Sequence, residues 1–267
     1  MRRLIHTILI PALLAAQMPQ NPSPMVEHTR PHPRVREAAA PGARYTIGGA
    51  TLYVPHSLDS HRTLMVFFHG GTWLPEIAAS ENHMAVISAE AAEPGQLLNL
   101  VAEAPRVSGL RFNRLILGCW SGGCQTIRAM LPTPEIYDRV NGVLCIDGMH
   151  TAYTSDTPDR SNPNIDTSRL DIWVQLAKDA VAGKKRFVVT HSEVFPGTYA
   201  STTETADYLL GQLRLQRREV LKWGPMRTQQ LSEAEAGRFL LVGYAGNSAP
   251  DHVDQLHSLP AYLKWMR

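Results

Sequence analysis

The sequence predicts an α/β domain with a mostly parallel, eight-stranded sheet covered by helices on both faces. Three observations predict it. Short apolar runs without polar alternation recur along the chain, as strands buried on both faces require. Helix-sized intervals separate them. A Gly48-Gly49 turn between two β-rich stretches marks an antiparallel start. The 267 residues suffice for one such domain with a sizeable core.

The elements follow in order. Arg44–Ile47 and Thr51–Val54 flank the glycine turn and form the opening hairpin. Leu64–Phe68 is an unbroken apolar run, and Ala85–Ser88 is a shorter one. Leu115–Gly118, Gly142–Ile146, Phe187–Thr190 and Phe239–Tyr244 complete the eight. Helices are expected at Pro94–Ala104, Gln125–Met130, Ser168–Val181, Thr203–Leu213 and Val253–Met266. Thr203, with Glu204 and Asp207 just inside, suits a helix N-terminus. Thr151–Asp166 reads as a polar loop, so no large cap domain is expected between the sixth and seventh strands.

The two ends of the chain differ in kind. Residues 1–17 resemble a secretory signal peptide, with Arg2 and Arg3 as the charged region, an apolar Leu4–Leu14 and small residues at Ala15-Ala16. The apolar stretch is too short for a stable membrane span. A secreted or periplasmic location is the expectation. Residues 18–42 are proline-rich with few large apolar side chains, and are expected to be a flexible linker. The folded domain is expected over 43–267.

Composition excludes several classes of partner. Lys and Arg total 26 against 24 acidic residues, and without Arg2 and Arg3 the two balance. A phosphate-tracking protein needs a basic surface, so no nucleic-acid partner is expected. Cys119, Cys124 and Cys145 are too few for a disulfide framework and are expected as small, reduced core residues, although one pair could bond in an oxidising compartment. The histidines show no metal-ligand spacing, and neither a metal nor another cofactor is expected.

The chemistry concentrates in three segments. In Leu115-Ile-Leu-Gly-Cys-Trp-Ser-Gly-Gly-Cys124 an apolar strand stops at Ser121, small residues follow, and a helix begins. A serine at the apex of a strand–turn–helix has its hydroxyl exposed above the sheet, with helix N–H groups aimed at the same place. Cys119 stands where glycine is usual two residues before such a serine, and Gly123 fills the matching place after it. About fifty residues upstream, the third strand ends in His69-Gly70-Gly71-Thr72-Trp73. Downstream of the last strand come Ala245–Pro250, Asp251 and His252.

In this order and spacing the segments resemble the nucleophile elbow, oxyanion loop and histidine loop of the α/β-hydrolases. The resemblance covers Arg44 to the C-terminus and implies a serine hydrolase of the esterase or lipase kind. It implies Ser121 as nucleophile and His252 as general base, with His257 the competing histidine inside the last helix. The backbone N–H groups of Gly70, Gly71 and Gly122 would form the oxyanion hole. Two acids remain open. Glu193, after the seventh strand, occupies the family's commoner position. Asp147 ends the sixth strand on the functional edge of the sheet, next to the elbow strand. Asp251 is expected to shape its loop. Trp73 and Trp120 flank these segments and are candidates for a substrate-binding wall or for loop packing. A small-molecule or polymer ester is the expected substrate class. An amidase, peptidase or acyltransferase on the same triad, and a non-catalytic binding module on the same fold, are the alternatives.

Overall fold

Ten strands form a single sheet in the order β1-β2-β4-β3-β5-β6-β7-β10-β9-β8 in the computed structural model, which describes residues 31–154 and 164–267. The strands are β1 (Gly42–Ile47), β2 (Ala50–Pro55), β3 (Thr63–Phe68), β4 (Ala85–Ala89), β5 (Arg114–Trp120), β6 (Val140–Ile146), β7 (Arg186–His191), β8 (Arg218–Trp223), β9 (Gln229–Ala236) and β10 (Phe239–Tyr244). The six strands β4, β3, β5, β6, β7 and β10 pair in parallel. Antiparallel pairs flank them on both sides, β1–β2 at one end and β9–β8 at the other.

Side chains of the central strands alternate between two cores, as the two-residue period of a strand requires. Leu64, Val66 and Phe68 of β3 belong to one cluster, Met65 and Phe67 to the other. The first cluster is covered by α2 (Pro94–Ser108), α3 (Gly123–Met130), α4 (Pro134–Arg139), α5 (Asp171–Val181) and α6 (Thr202–Leu213), through residues such as Leu97, Ile127, Ile136, Trp173 and Leu209. The second is covered by α1 (Trp73–Glu81) and the C-terminal α7 (Ala249–His257) and α8 (Leu259–Tyr262), through Leu74, Ala78, Leu256 and Tyr262. Each such side chain removed from water is worth about 1.5–3 kcal/mol.

Several expectations need correction. The sheet has ten strands, not eight. The additional pair, β8 and β9, reads REVLKW and QQLSEAEA, with β8 exposed along nearly all its length. An edge hairpin with wet faces needs no apolar run, so periodicity passes over it. Helix α1 was not expected, and the last helix is not one element: α7 ends at His257, and Pro260 lies in the first turn of α8. His252 consequently stands in the first turn of α7, not in a loop.

The proline-rich segment is a second departure. Its described part, residues 31–41, lies against the domain. His32 Nδ1 is 2.6 Å from Asp254 Oδ2, and Arg34 Nε donates to Asp254 Oδ1 at 3.0 Å. The Tyr53 hydroxyl donates to the Pro41 carbonyl at 2.8 Å, and Ala40 is buried. Low apolar content did not prevent ordering because the domain offers a buried carboxylate as partner. The expected signal peptide, residues 1–17, lies outside the described residues, as do 18–30 of the expected linker.

The cysteines are also not three reduced residues. Cys119 and Cys124 form a disulfide across the end of β5, and Cys145 on β6 is free and buried. Denatured without reductant, the protein should therefore expose one thiol to titration by a disulfide-exchange reagent. Three thiols per chain would show that the pair is not bonded.

Candidate active site

The site assembles at the carboxyl ends of the parallel strands, where the chain leaves each strand for a loop or helix. Three of these exits hold a non-glycine residue in the left-handed region: His69 after β3 (φ 62°), Ser121 after β5 (φ 52°) and Asp147 after β6 (φ 43°). Such positions cost of order 1–3 kcal/mol each and persist only where the surroundings fix them. Here the neighbouring backbones fix them. Ser121 N–H donates to the Ile146 carbonyl at 3.1 Å, and Asp147 N–H to the Thr190 carbonyl at 2.9 Å.

Two glycines make this approach possible. A Cβ on Gly123 would lie 2.5 Å from the Phe68 carbonyl oxygen and 2.8 Å from His69 Cβ. One on Gly148 would lie 2.3 Å from the Ser121 carbonyl oxygen and 2.5 Å from Cys124 Sγ. Without side chains at 123 and 148, the loop after β3, the turn at Ser121 and the turn at Asp147 close on one another. Cys119, in the place where glycine is usual, is buried and bonded to Cys124 beneath the turn.

His252 and Asp147 meet. Nδ1 of His252 lies 2.7 Å from Oδ2 of Asp147, 105 residues away in sequence. The carboxylate is 1% exposed and receives further donors: the Ser192 N–H at 2.8 Å, the Ser192 hydroxyl at 2.6 Å and the Thr202 hydroxyl at 2.6 Å. Burial alone would raise its pKa. The hydrogen bond and charge of His252, with the two hydroxyls, outweigh burial and hold the carboxyl well below the usual carboxylate range. The nearby imidazoles differ. His191 is pushed down to about 4, by burial first and by Arg217 second, and His150 is lowered mainly by burial. Neither is hydrogen-bonded to Asp147 among the described contacts.

Glu193 is not brought to the histidine. It is exposed, donates its N–H to the Gly246 carbonyl at 2.9 Å, and lines an open polar cleft of about 530 Å³ with Phe195, Thr203 and Asn247. The exit from β7 serves the acid differently: Ser192, one residue earlier, donates twice to Asp147. His257 closes α7 with its ring 5.7 Å from Trp73, away from Asp147's hydrogen bonds. Asp251 completes a capping box with Ser248, whose N–H donates to Asp251 Oδ2 at 3.1 Å, and so sets the start of the helix that carries His252.

Of the expected oxyanion donors, Gly122 is the residue on which α3 starts, and Gly70-Gly71 follows β3 alongside it. Among the described residues, no carbonyl accepts the backbone N–H of Gly70, Gly71 or Gly122. Trp120, last in β5, lies against His252, whereas Trp73 packs on His257. Sequence reasoning missed Ser192 and Thr202. Hydroxyl residues at a strand exit and a helix start carry no signal of their own until Asp147 is seen between them.

Two sets of side chains have the composition of metal ligands. Cys119, Cys124 and Cys145 converge, but two of the three are joined to each other. His32, Asp251 and Asp254 converge as well, yet Arg34 already neutralises Asp254 and Asp251 caps α7.

No protein-family model matches the sequence, and no curated protein matches it. Solved structures resemble it in fold. TT1662 from Thermus thermophilus is 15% identical with a TM-score of 0.46, over 87% of this chain and 99% of that one. A hormone-sensitive lipase from a metagenome library is 12% identical with a TM-score of 0.49, over 88% of both chains. The acylaminoacyl peptidase of Pyrococcus horikoshii is 12% identical with a TM-score of 0.47, over 87% of this chain and 41% of that one. The fold of this chain is that of the α/β-hydrolases, on the evidence of its own strand order and of a sheet antiparallel only at its two ends.

The two acids make opposite demands on a mutant pair. Asp147→Asn keeps the shape of the hydrogen bond but removes the charge and favours the wrong histidine tautomer, so any acyl transfer should slow by roughly 10⁴-fold. Glu193→Gln should stay within about twofold of wild type. Steady-state turnover of both variants checks this, and a reversal of the two results would return the acid to Glu193.

Proposed function

We propose that this protein is a serine hydrolase acting on carboxylic esters through Ser121, His252 and Asp147. The observation that carries the reading is the 2.7 Å contact between His252 Nδ1 and a fully buried Asp147. A carboxylate so placed fixes the imidazole tautomer with its proton on Nδ1, leaving Nε2 as the base. It also stabilises the imidazolium that forms when the base takes a proton.

The steps follow from that assignment. Nε2 of His252 accepts the Ser121 hydroxyl proton as Oγ bonds to the acyl carbon. The carbonyl oxygen becomes an oxyanion, for which the N–H groups of Gly122 and of Gly70 or Gly71 are the donors. The His252 imidazolium then protonates the departing alcohol, leaving an acyl-Ser121. Water, deprotonated by the same imidazole, attacks the acyl carbon; the bond from that carbon to Ser121 Oγ breaks, the imidazolium returns the proton to Oγ, and the acid leaves. Losing one oxyanion donor typically costs about 3–4 kcal/mol of transition-state stabilisation. The chemistry needs no further group, and the ester is a small molecule or the ester linkage of a polymer. No helix among the described residues is long and apolar enough to cross a membrane.

Ser121→Ala tests the nucleophile. It should abolish hydrolysis of p-nitrophenyl esters and labelling by a fluorophosphonate probe, with the thermal midpoint unchanged within a few degrees. Turnover near wild type would remove Ser121 from the mechanism.

We further propose export, because residues 1–17 have the pattern of a signal peptide. The Cys119–Cys124 disulfide supports this, since such bonds persist in oxidising compartments. Intact-mass measurement on protein from the native host should find a chain that begins just after Ala16. Soluble protein retaining Met1 would refute export.

A further inference from the structure

Trp120 is the side chain next to Ser121, and two imidazoles stack on its indole. One is His252, with ring centroids 4.7 Å apart and planes 29° apart. The second is His69, at 5.4 Å and 14°. Its Nε1–H donates to the His252 carbonyl at 3.1 Å. These contacts engage the indole with two imidazoles and the backbone of α7, whereas its sequence position suggests a substrate wall. The three aromatic rings instead form a continuous stack across the site. It joins the loop after β3, the strand that delivers Ser121, and the helix that carries His252.

We propose that Trp120 is a positioning residue for His252, acting on the imidazole by stacking and by anchoring its backbone. The proposal rests on the serine-hydrolase reading for its catalytic consequence, but not for its physical content. The hydrogen bond to the carbonyl fixes where the first turn of α7 sits. The indole face then limits rotation of the ring, so that Nδ1 stays on Asp147. An indole within about 6 Å of a cation also stabilises it through the ring quadrupole, and Trp does so best among aromatic side chains. The imidazolium formed during acyl transfer is such a cation.

The charged and titratable groups around His252 are few. Asp147, from the end of β6, contacts Nδ1. His150, three residues further on, has its pKa lowered chiefly by burial, with Asp147 acting to raise it and His252 to lower it. Asp251 precedes His252 in α7 and is engaged with Ser248. His69, also stacked on the indole, pairs with Glu90 at 3.3 Å. Trp120 is thus the contact through which the imidazolium can be tuned without touching the carboxylate.

Three proteins test the proposal: wild type, Trp120→Phe and Trp120→Leu. Each is assayed on p-nitrophenyl acetate, butyrate and octanoate, and His252 is titrated by NMR of its ring proton. Phenylalanine keeps a stacking face and loses the indole donor; leucine loses both. In Trp120→Leu, kcat should fall about tenfold or more, the scale of a lost cation–π contact, with KM unchanged within twofold at every acyl length. The His252 ring should titrate at lower pH than in wild type, because its protonated form loses a stabilising neighbour, and the acid limb of the kcat/KM profile should move down with it. Trp120→Phe should recover most of both effects. A KM that rises with acyl length at constant kcat would make Trp120 a substrate wall and overturn the proposal. So would an unchanged His252 titration in Trp120→Leu, whether or not the protein hydrolyses esters. Absence of ester turnover and of fluorophosphonate labelling in wild type, with the titration shifted as expected, would instead overturn the hydrolase reading and leave the stack standing.

Discussion

A single buried charge organises the carboxyl edge of the sheet. Asp147 is removed from water, and an ionised carboxylate in that position is tolerable only if its oxygens are fully served by donors. Four donating groups converge on it, from three different elements. Ser192 contributes its N–H and hydroxyl from the exit of β7. Thr202 contributes from the first turn of α6, and His252 from the first turn of α7. Each element is therefore tied to the end of β6 through the same two oxygens. The histidine is the partner whose proton-binding state can change, so the carboxylate that ties these elements together also holds the group able to take up a proton.

The strained exits follow from that convergence. Ser121, Asp147 and His69 all leave their strands in the left-handed region, and three adjacent strand ends must turn within a few ångströms of one another. The missing side chains of Gly123 and Gly148 leave room for it. The disulfide adds a covalent constraint at the same point. It joins the end of β5 to the first turn of α3, bracketing Ser121 on both sides, where a glycine-based turn would depend on packing alone. Cys145 lies 3.2 Å from Cys124 Sγ, and burial pushes its thiol well above the ordinary range, so it is a protonated, poorly nucleophilic neighbour of the bond.

How much of this was legible depended on how strongly burial constrains composition. The central parallel strands are buried on both faces, so Leu64–Phe68, Leu115–Gly118 and Phe187–Thr190 stand out as apolar runs. The same constraint is absent from β8 and β9, whose Glu, Gln and Lys residues read as loop. The sharp exit at Ser121 was legible because turn chemistry restricts it, and chain order put His252 just beyond the last strand. Sequence left open whether Asp147 or Glu193 meets His252, since both follow strands at the same edge, and what separates them is the side on which Ser192 and Thr202 place their hydroxyls. That information is tertiary. The docking of residues 31–41 was hidden for a similar reason: its partner, Asp254, lies more than two hundred residues away.

Trp120 shows how position in sequence can mislead about role. A large aromatic beside the serine of a sharp strand exit suggests a surface for a ligand, and its partial exposure agrees. The structure stacks two imidazoles on its ring and turns its only donor to the backbone of α7. An indole used in this way contributes through the geometry of its neighbours. It links His69, whose backbone leads into Gly70-Gly71, to His252, whose ring is held by Asp147. A displacement of the loop after β3 would therefore be felt at the imidazole through stacked rings. The loop after β3, the turn at Ser121 and the start of α7 are coupled by contact as well as by proximity to the sheet.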